Sequence, residues 1–228
     1  MASAAGPNII TDGLILHLDA ANTQSYPGSG TTWIDMIDPS NNDGTLTNEP
    51  TFNSDDMGSI VLDGSNDFVL FSTDANVYIS TGTCSVWVKP TSSNSGYRGV
   101  IVKQNNWGMF VKDNNFVTYS WVSVGGKLKD TGITVGNGNW CNLTMSFNNT
   151  GQASPSNNVV LYLNGDPVLT TSVKRSNNNI QMVLGSGTSG SGNQFLSGKI
   201  ASAMLYNRVL TATEVQQNYN SYKGRFSL

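Results

Sequence analysis

The 228-residue chain is poor in charge, glutamate, histidine and cysteine, and each shortage closes off a class of protein. Charged residues make up 12% of it, about half the usual quarter. The net charge is −3 and no Lys/Arg cluster exists, so binding nucleic acid by phosphate neutralisation is not expected. Only two glutamates occur, Glu49 and Glu214, with little alanine or leucine. Strong helix formers are therefore too scarce for a helical bundle. No apolar run approaches the ~20 residues that span a bilayer, so no membrane partner is expected. Residues 1–11 lack the basic start and apolar centre of a secretory signal, and the expectation is a protein assembled in a cytoplasm. Two cysteines, Cys84 and Cys141, are too few for a disulfide framework. Both alternate with apolar neighbours, which points to buried, reduced thiols. A disulfide between adjacent strands and a reactive thiol are the alternatives.

Asparagine is the commonest residue, with 28 copies, and glycine has 24. Neutral amides suit turns and β-surfaces. Period-two alternation dominates. Gly13–Ala20 sets Leu14, Leu16 and Leu18 on one face and Ile15, His17 and Asp19 on the other. Ser59–Asp63 and Asp67–Ser72 flank the turn signal Gly64-Ser65-Asn66, and Thr83–Lys89 is a strand stopped by Pro90. Gly99–Gln104, Trp107–Lys112 and Phe116–Trp121 form a meander with turns at Asn105-Asn106 and Asn114-Asn115. Trp140–Asn148 is a long strand, and Val159–Leu163 and Pro167–Thr171 flank Asn164-Gly165, a strong hairpin signal. Ile180–Leu184 and Lys199–Tyr206 complete the set. Short strands with turns every eight to twelve residues predict an all-β fold: a two-sheet antiparallel jelly-roll sandwich. One short C-terminal helix is predicted over 211–222, opened by the capping box Thr211-Ala-Thr-Glu214, with Leu210, Val215 and Tyr219 as its docking face. Residues 1–12 read as an N-terminal tail, and 1–228 as one domain without a linker.

Several segments then carry a family likeness. They are GLILHLDAANTQSYPGSGTTW from Gly13, SIVLDGSNDFV (Ser59–Val69), VWVKP (Val86–Pro90) and WCNLTMSFN (Trp140–Asn148). VVLYLNGDPV (Val159–Val168) and IASAMLYNRVLTATEVQQNYNSYKGRF (Ile200–Phe226) follow. In this order they resemble the laminin G-like, concanavalin A-like lectin jelly-roll family, over essentially the whole chain. More narrowly, they resemble the versions found in virion structural proteins of tailed, especially marine, phages. The resemblance implies two antiparallel sheets and core positions for Trp33, Trp87 and Trp140. It does not choose among glycan binding, catalysis and virion structure.

Catalytic patterns are scarce. The resemblance brings to mind the E-x-D-x-x-E strand of related glycosidases, and this chain has none. Glu49 precedes Pro50 in a loop, Glu214 is a helix cap, and Asp55-Asp56 sit in a turn. His17 shares a face with Asp19, and the choice lies between a general base or ligand and a sheet-surface or subunit contact. A lyase would need Tyr119, His17 and Arg98 to converge. Asp63, Asn66 and Asp67 are weak calcium candidates, because the same residues suit a turn whose side chains cap their own backbone. A structural calcium is not favoured, since Ile200-Ala201-Ser202-Ala203 lacks the aspartate that the family carries there. No cofactor is expected.

Sugar binding needs exposed rings beside amides and hydroxyls. Tyr97, Trp107, Tyr119 and Trp121 fall in the meander amid Asn105, Asn106, Asn114 and Asn115. The candidate glycan residues are Tyr97, Asn105, Trp107, Asn115, Tyr119 and Trp121, with inward core packing as the alternative for some rings. The leading expectation is a non-enzymatic phage virion surface protein, a capsid decoration or appendage. Its partners would be other virion proteins and itself in a homo-oligomer, with weak polysaccharide attachment. The alternatives are a dedicated carbohydrate-binding module and, third, a polysaccharide hydrolase or lyase.

Overall fold

The computed structural model describes residues 7–72, 77, 79–91, 95–121, 127–148, 157–174, 181–188 and 194–228. The first half of the expected tail, the residue-180 start of one expected strand and parts of the loop after Gly185 lie outside them. Sixteen strands are described. The chain opens with β1 (Leu14–Asp19), β2 (Thr32–Trp33), β3 (Gly44–Thr47) and β4 (Thr51–Asn53). Next come β5 (Ser59–Asp63), β6 (Phe68–Phe71), β7 (Thr81–Pro90) and β8 (Tyr97–Lys103). The meander continues with β9 (Trp107–Lys112), β10 (Asn115–Tyr119) and β11 (Leu128–Thr134). The last strands are β12 (Cys141–Asn148), β13 (Val159–Leu163), β14 (Asp166–Thr171), β15 (Met182–Leu184) and β16 (Ser197–Tyr206). Helix α1 (Ala212–Tyr222) follows, and a 3-10 turn over Lys223–Phe226 ends the chain's regular structure.

The strands form two antiparallel sheets, the jelly-roll sandwich that the alternation predicts. The first runs β14-β13-β12-β7-β16-β5-β4, with β1 also paired to β16. The length of β16 makes this possible: β5 pairs its first residues and β1 its last. The second sheet runs β11-β10-β9-β8-β15-β6-β3-β2. Strands β2, β3, β4 and β11 escape the sequence reading. They are short or polar, and β11 alternates exposed and half-buried residues at a sheet edge, so it carries little apolar signal. The turn at Gly64-Ser65-Asn66 does not close a hairpin. It carries the chain from β5 in the first sheet to β6 in the second.

Inward side chains of both sheets make one core that includes Leu16, Leu18, Trp33, Val86, Val88, Trp107, Phe116 and Phe147. Cys84 and Cys141 are free thiols in it, and burial pushes the Cys141 thiol up to about 12. The loop before β3 is held by Asp35, which is fully buried. Its carboxylate accepts from the amides of His17, Ile37 and Asp38 and from the Asn42 side chain, at 2.8–3.3 Å.

The outer face of the first sheet carries Trp87 and Ala201 among polar side chains, and the end of α1 with its 3-10 extension covers them. Phe226 stacks 4.4 Å from Trp87 and lies 4.6 Å from Trp140. Arg225 closes this strap, pairing with Asp19 at 2.7 Å and donating to the carbonyls of Asp56 and Gly58. Residues 8–10 dock on the same helix: Ile10 N–H donates to Asn218 and Gln217 to the Asn8 carbonyl. The capping box is present at Thr211, and Arg208 clasps Glu214 through two nitrogens at 2.7 and 3.1 Å. No described helix is long and apolar enough to cross a membrane.

Removing the Phe226 ring should lower stability by about 3 kcal/mol, the cost of a buried Phe→Ala change. Urea unfolding of Phe226→Ala measures it. The Arg208 fork, with the Thr211 donors, holds the Glu214 carboxyl down at about 2 against an ordinary 4.5. Its contribution is then fully present above pH 4.5 and drains away as pH falls toward 2. The stability gap between the native chain and Glu214→Gln should be constant at neutral pH and shrink through that window, read as urea midpoints.

Candidate functional site

The outer face of the second sheet carries an apolar cluster of its own. Phe68, Val102, Phe110, Val117, Val183 and Phe195 are its buried part, and Tyr97, Tyr119 and Trp121 are half-buried against it. Strand parity explains this. Met109 and Val111 point into the core, so Phe110 between them points out. The same parity carries Val117 and Tyr119 of β10 to the outer face.

Four of these rings close a circuit of contacts. Tyr97 meets Phe110 at 5.8 Å and Tyr119 at 5.4 Å, each at 82°. Tyr119 meets Trp121 at 5.5 Å and 84°, and Phe110 meets Trp121 at 6.2 Å and 49°. Above them lies a cavity of about 330 Å³ lined by these four rings with Gln104, Asn105, Gly187 and Gln194. Gln104 and Asn105 come from the β8–β9 turn, where Asn105 takes φ +67°, a left-handed value an asparagine tolerates. Gln194 arrives from the segment before β16. Its carbonyl accepts from the amides of Gly99 and Gly187, both at 3.1 Å. Glycine is required at 99, since a Cβ there would stand 2.0 Å from the Ser186 carbonyl oxygen. The close approach brings the second wall of the cavity down onto β8.

The electrostatics are mild. Lys112 stands 5.6 Å from the Tyr97 ring centre and pairs with Asp113, whose other oxygen accepts from the Gly96 amide at 2.7 Å. The Lys112 ammonium, with help from that amide, holds the Asp113 carboxyl below its ordinary value. Burial, and then the neighbouring Tyr119, raises the Tyr97 phenol, so it stays a neutral donor at any physiological pH.

Of the six residues expected here, Tyr97, Asn105, Tyr119 and Trp121 line the cavity. Trp107 does not: it is 2% exposed, points with Met109 and Val111 into the core, and stacks 5.0 Å from Phe147. Its parity with Met109 was the available signal. Asn115 is not among the lining residues either: it donates to Asp130 and accepts from the Thr134 hydroxyl of β11. Phe110, Gln104, Gly187 and Gln194 were missed. Phase finds Phe110, but no local pattern finds Gln194, which a tertiary contact delivers.

The other candidates go elsewhere. The Asp63 carboxylate accepts from the amides of Ser65, Asn66 and Asp67 at 2.8–3.4 Å, and Asp67 accepts from the Asp63 amide at 3.1 Å. Burial would raise the Asp63 carboxyl, but those amides outweigh it and hold it below its ordinary value. The oxygens thus cap the sheet-crossing turn. His17 sits beneath the strap on the first sheet, 2.8 Å from the Tyr222 hydroxyl, which itself donates to Asp19. Burial lowers its imidazole, with Asp19 and Asp35 opposing. Tyr119 lies on the second sheet's outer face, so the lyase-like trio with His17 does not converge.

The Laminin_G_3 family model, described as the Concanavalin A-like lectin/glucanases superfamily, matches residues 63–216. The chain belongs to this superfamily. Among solved structures, this concanavalin A-like chain is similar to the binding domain of Paraclostridial Mosquitocidal Protein 1. The TM-score is 0.66 and the identity 20%, covering 92% of this chain and 52% of that one. Similarity to Trypanosoma rangeli sialidase reaches TM-score 0.70 at 12% identity, covering 100% of this chain but 38% of the sialidase. It is also similar to domain 4 of AbnA, a GH43 extracellular arabinanase from Geobacillus stearothermophilus, solved with arabinotriose. There the TM-score is 0.67 and the identity 19%, covering 90% of this chain and 98% of the domain. The chain thus spans about half of the first of these and less than two-fifths of the second. At these identities the likeness is one of fold. No curated protein sequence matches the chain.

Because Trp107 is a core residue, Trp107→Ala should cost about 3–5 kcal/mol of stability. Thermal or urea unfolding reads this, and any loss of ligand binding should track the unfolded fraction.

Proposed function

We propose that the protein is a carbohydrate-binding module that holds saccharide in the aromatic cavity on the outer face of its second sheet. One observation carries the reading: three half-buried rings, Tyr97, Tyr119 and Trp121, meet the side chains of Gln104, Asn105 and Gln194 in one concavity. A sugar ring has apolar C–H faces and a rim of hydroxyls. Ring faces receive the first and neutral amides the second. The fold kinship with a domain solved with arabinotriose, and with the binding domain of a mosquitocidal protein, supports it.

The reading is non-enzymatic and needs no cofactor or metal. Glycoside hydrolysis calls for two carboxyl groups roughly 5–10 Å apart astride the bond. None of the described lining residues carries a carboxyl or an imidazole. Glu214 is spent on its cap, and Glu49 stands in the loop between β3 and β4. A hydrolase or lyase draws its support from fold kinship: the superfamily's description includes glucanases, and the sialidase and the arabinanase domain are structurally similar. The virion setting, with docking to other virion proteins and to further copies of itself, is the second reading. The resemblance of the segments from Gly13 and from Ile200 to tailed-phage structural proteins supports it. In that setting, many copies of this one-domain module on a particle would turn weak glycan contacts into avid attachment.

Affinity electrophoresis through gels cast with a polysaccharide panel tests the module. At least one polysaccharide should retard the native chain. Tyr119→Ala and Trp121→Ala should each weaken that binding about tenfold, or ~1.4 kcal/mol, read at a temperature where circular dichroism shows each variant fully folded. Retardation by none, or retardation that both variants keep, overturns it. Immunogold labelling of purified phage particles tests the setting: regular decoration is expected, and bare particles with free antigen reject it.

A further inference from the structure

We infer that the cavity accepts an uncharged saccharide terminus, one or two sugar rings deep, and does not accept an acidic sugar or the flat surface of a polymer. The inference rests on the saccharide-binding reading above and narrows its ligand class by three features of the site.

The first is ring orientation. A run of consecutive sugar residues can stack only on rings that lie near one plane. Here Tyr97 stands at 82° to both Phe110 and Tyr119, and Tyr119 at 84° to Trp121. Each ring shows its neighbour an edge where a platform would show a face. The four rings thus offer one sugar a face and several edges, and offer a second sugar along a chain no parallel face.

The second is size and enclosure. The cavity is about 330 Å³, at the low end of the ~300–1,000 Å³ of small-molecule pockets. Gln104 and Asn105 wall it from the β8–β9 turn. The second wall is Gly187 and Gln194, and Gly99 lets that wall approach β8 closely. The lining thus comes from the β8–β9 turn on one side and from the segment before β16 on the other, which bounds the length of saccharide the cavity can hold.

The third is charge. The described lining offers amides and phenols and no ionised group. Lys112, 5.6 Å from the Tyr97 ring centre, is paired with Asp113 at that end of the site. A sugar carboxylate entering the cavity would lose its water and gain no counter-charge, which is costly. Hydroxyls can exchange water for the side-chain amides of Gln104, Asn105 and Gln194, each of which both donates and accepts.

The test is calorimetric titration of the full chain with cello-, malto- and arabino-oligosaccharide ladders from one to six residues, and with lactose against sialyllactose. At least one neutral ladder should bind, with affinity rising to two residues and flat beyond. Sialyllactose should bind at least about tenfold more weakly than lactose or not at all, and crystalline cellulose should not pull the chain down. Affinity that climbs steadily to six residues, adsorption to crystalline cellulose, or an acidic sugar held as well as its neutral counterpart overturns this inference while leaving saccharide binding intact. Failure of every ladder and of every polysaccharide in the gel panel overturns the parent reading itself.

Discussion

Strand Thr81–Pro90 is buried along both of its faces, and the architecture on that side of the molecule follows from that double burial. Cys84, Val86 and Val88 point into the core between the sheets. Trp87 points the other way and needs a second cover. Beside it, Ser85 bonds to Asn142 and Thr144 of the neighbouring strand. Phe226, Tyr219 and Tyr222 then supply the aromatic lid over Trp87. Delivering that lid is what the helix is for. Its start is set by Thr211 and Glu214, its end carries Phe226 to the tryptophan, and Arg225 ties the end to β1 through Asp19.

The second sheet's outer face carries an apolar cluster as well, and Phe68, Val102, Phe110, Val117 and Val183 are buried in it. Here the rings reduce their own exposure by packing edge to face, and the wall carrying Gln194 closes one flank. The two outer faces therefore divide their work. One is sealed by the chain's own C-terminal residues, and the other is shaped as a small cup.

Much of this was legible from alternation. The strands of the meander, the long β12, the Asn164-Gly165 hairpin and the capping box all rest on neighbouring residues, and all are where periodicity and turn chemistry place them. The edge strands were not legible. Leu128–Thr134 has one face in solvent and little apolar content on the other, so its order comes from β10 beside it. The turn after Asp63 was legible as a turn and misleading as a connection, because three amides on one carboxylate look alike whether the chain doubles back or crosses between sheets.

The site divides in the same way. Ring-rich composition of Trp107–Trp121 pointed to strands whose rings line the cavity, and period two separates Phe110, which faces out, from Trp107, which faces in. That much is a local property of an extended backbone. The angles between the rings, the absence of Asn115 from the lining and the arrival of Gln194 are not local. They depend on which strands become neighbours and on how closely Ser186 can pass over Gly99. The sequence by itself determined a two-sheet β-sandwich and a ring-rich meander within it, because alternation is written residue by residue. Only the tertiary structure decided that those rings form a walled, neutral cup, because its walls come from segments about ninety residues apart that meet through one missing Cβ.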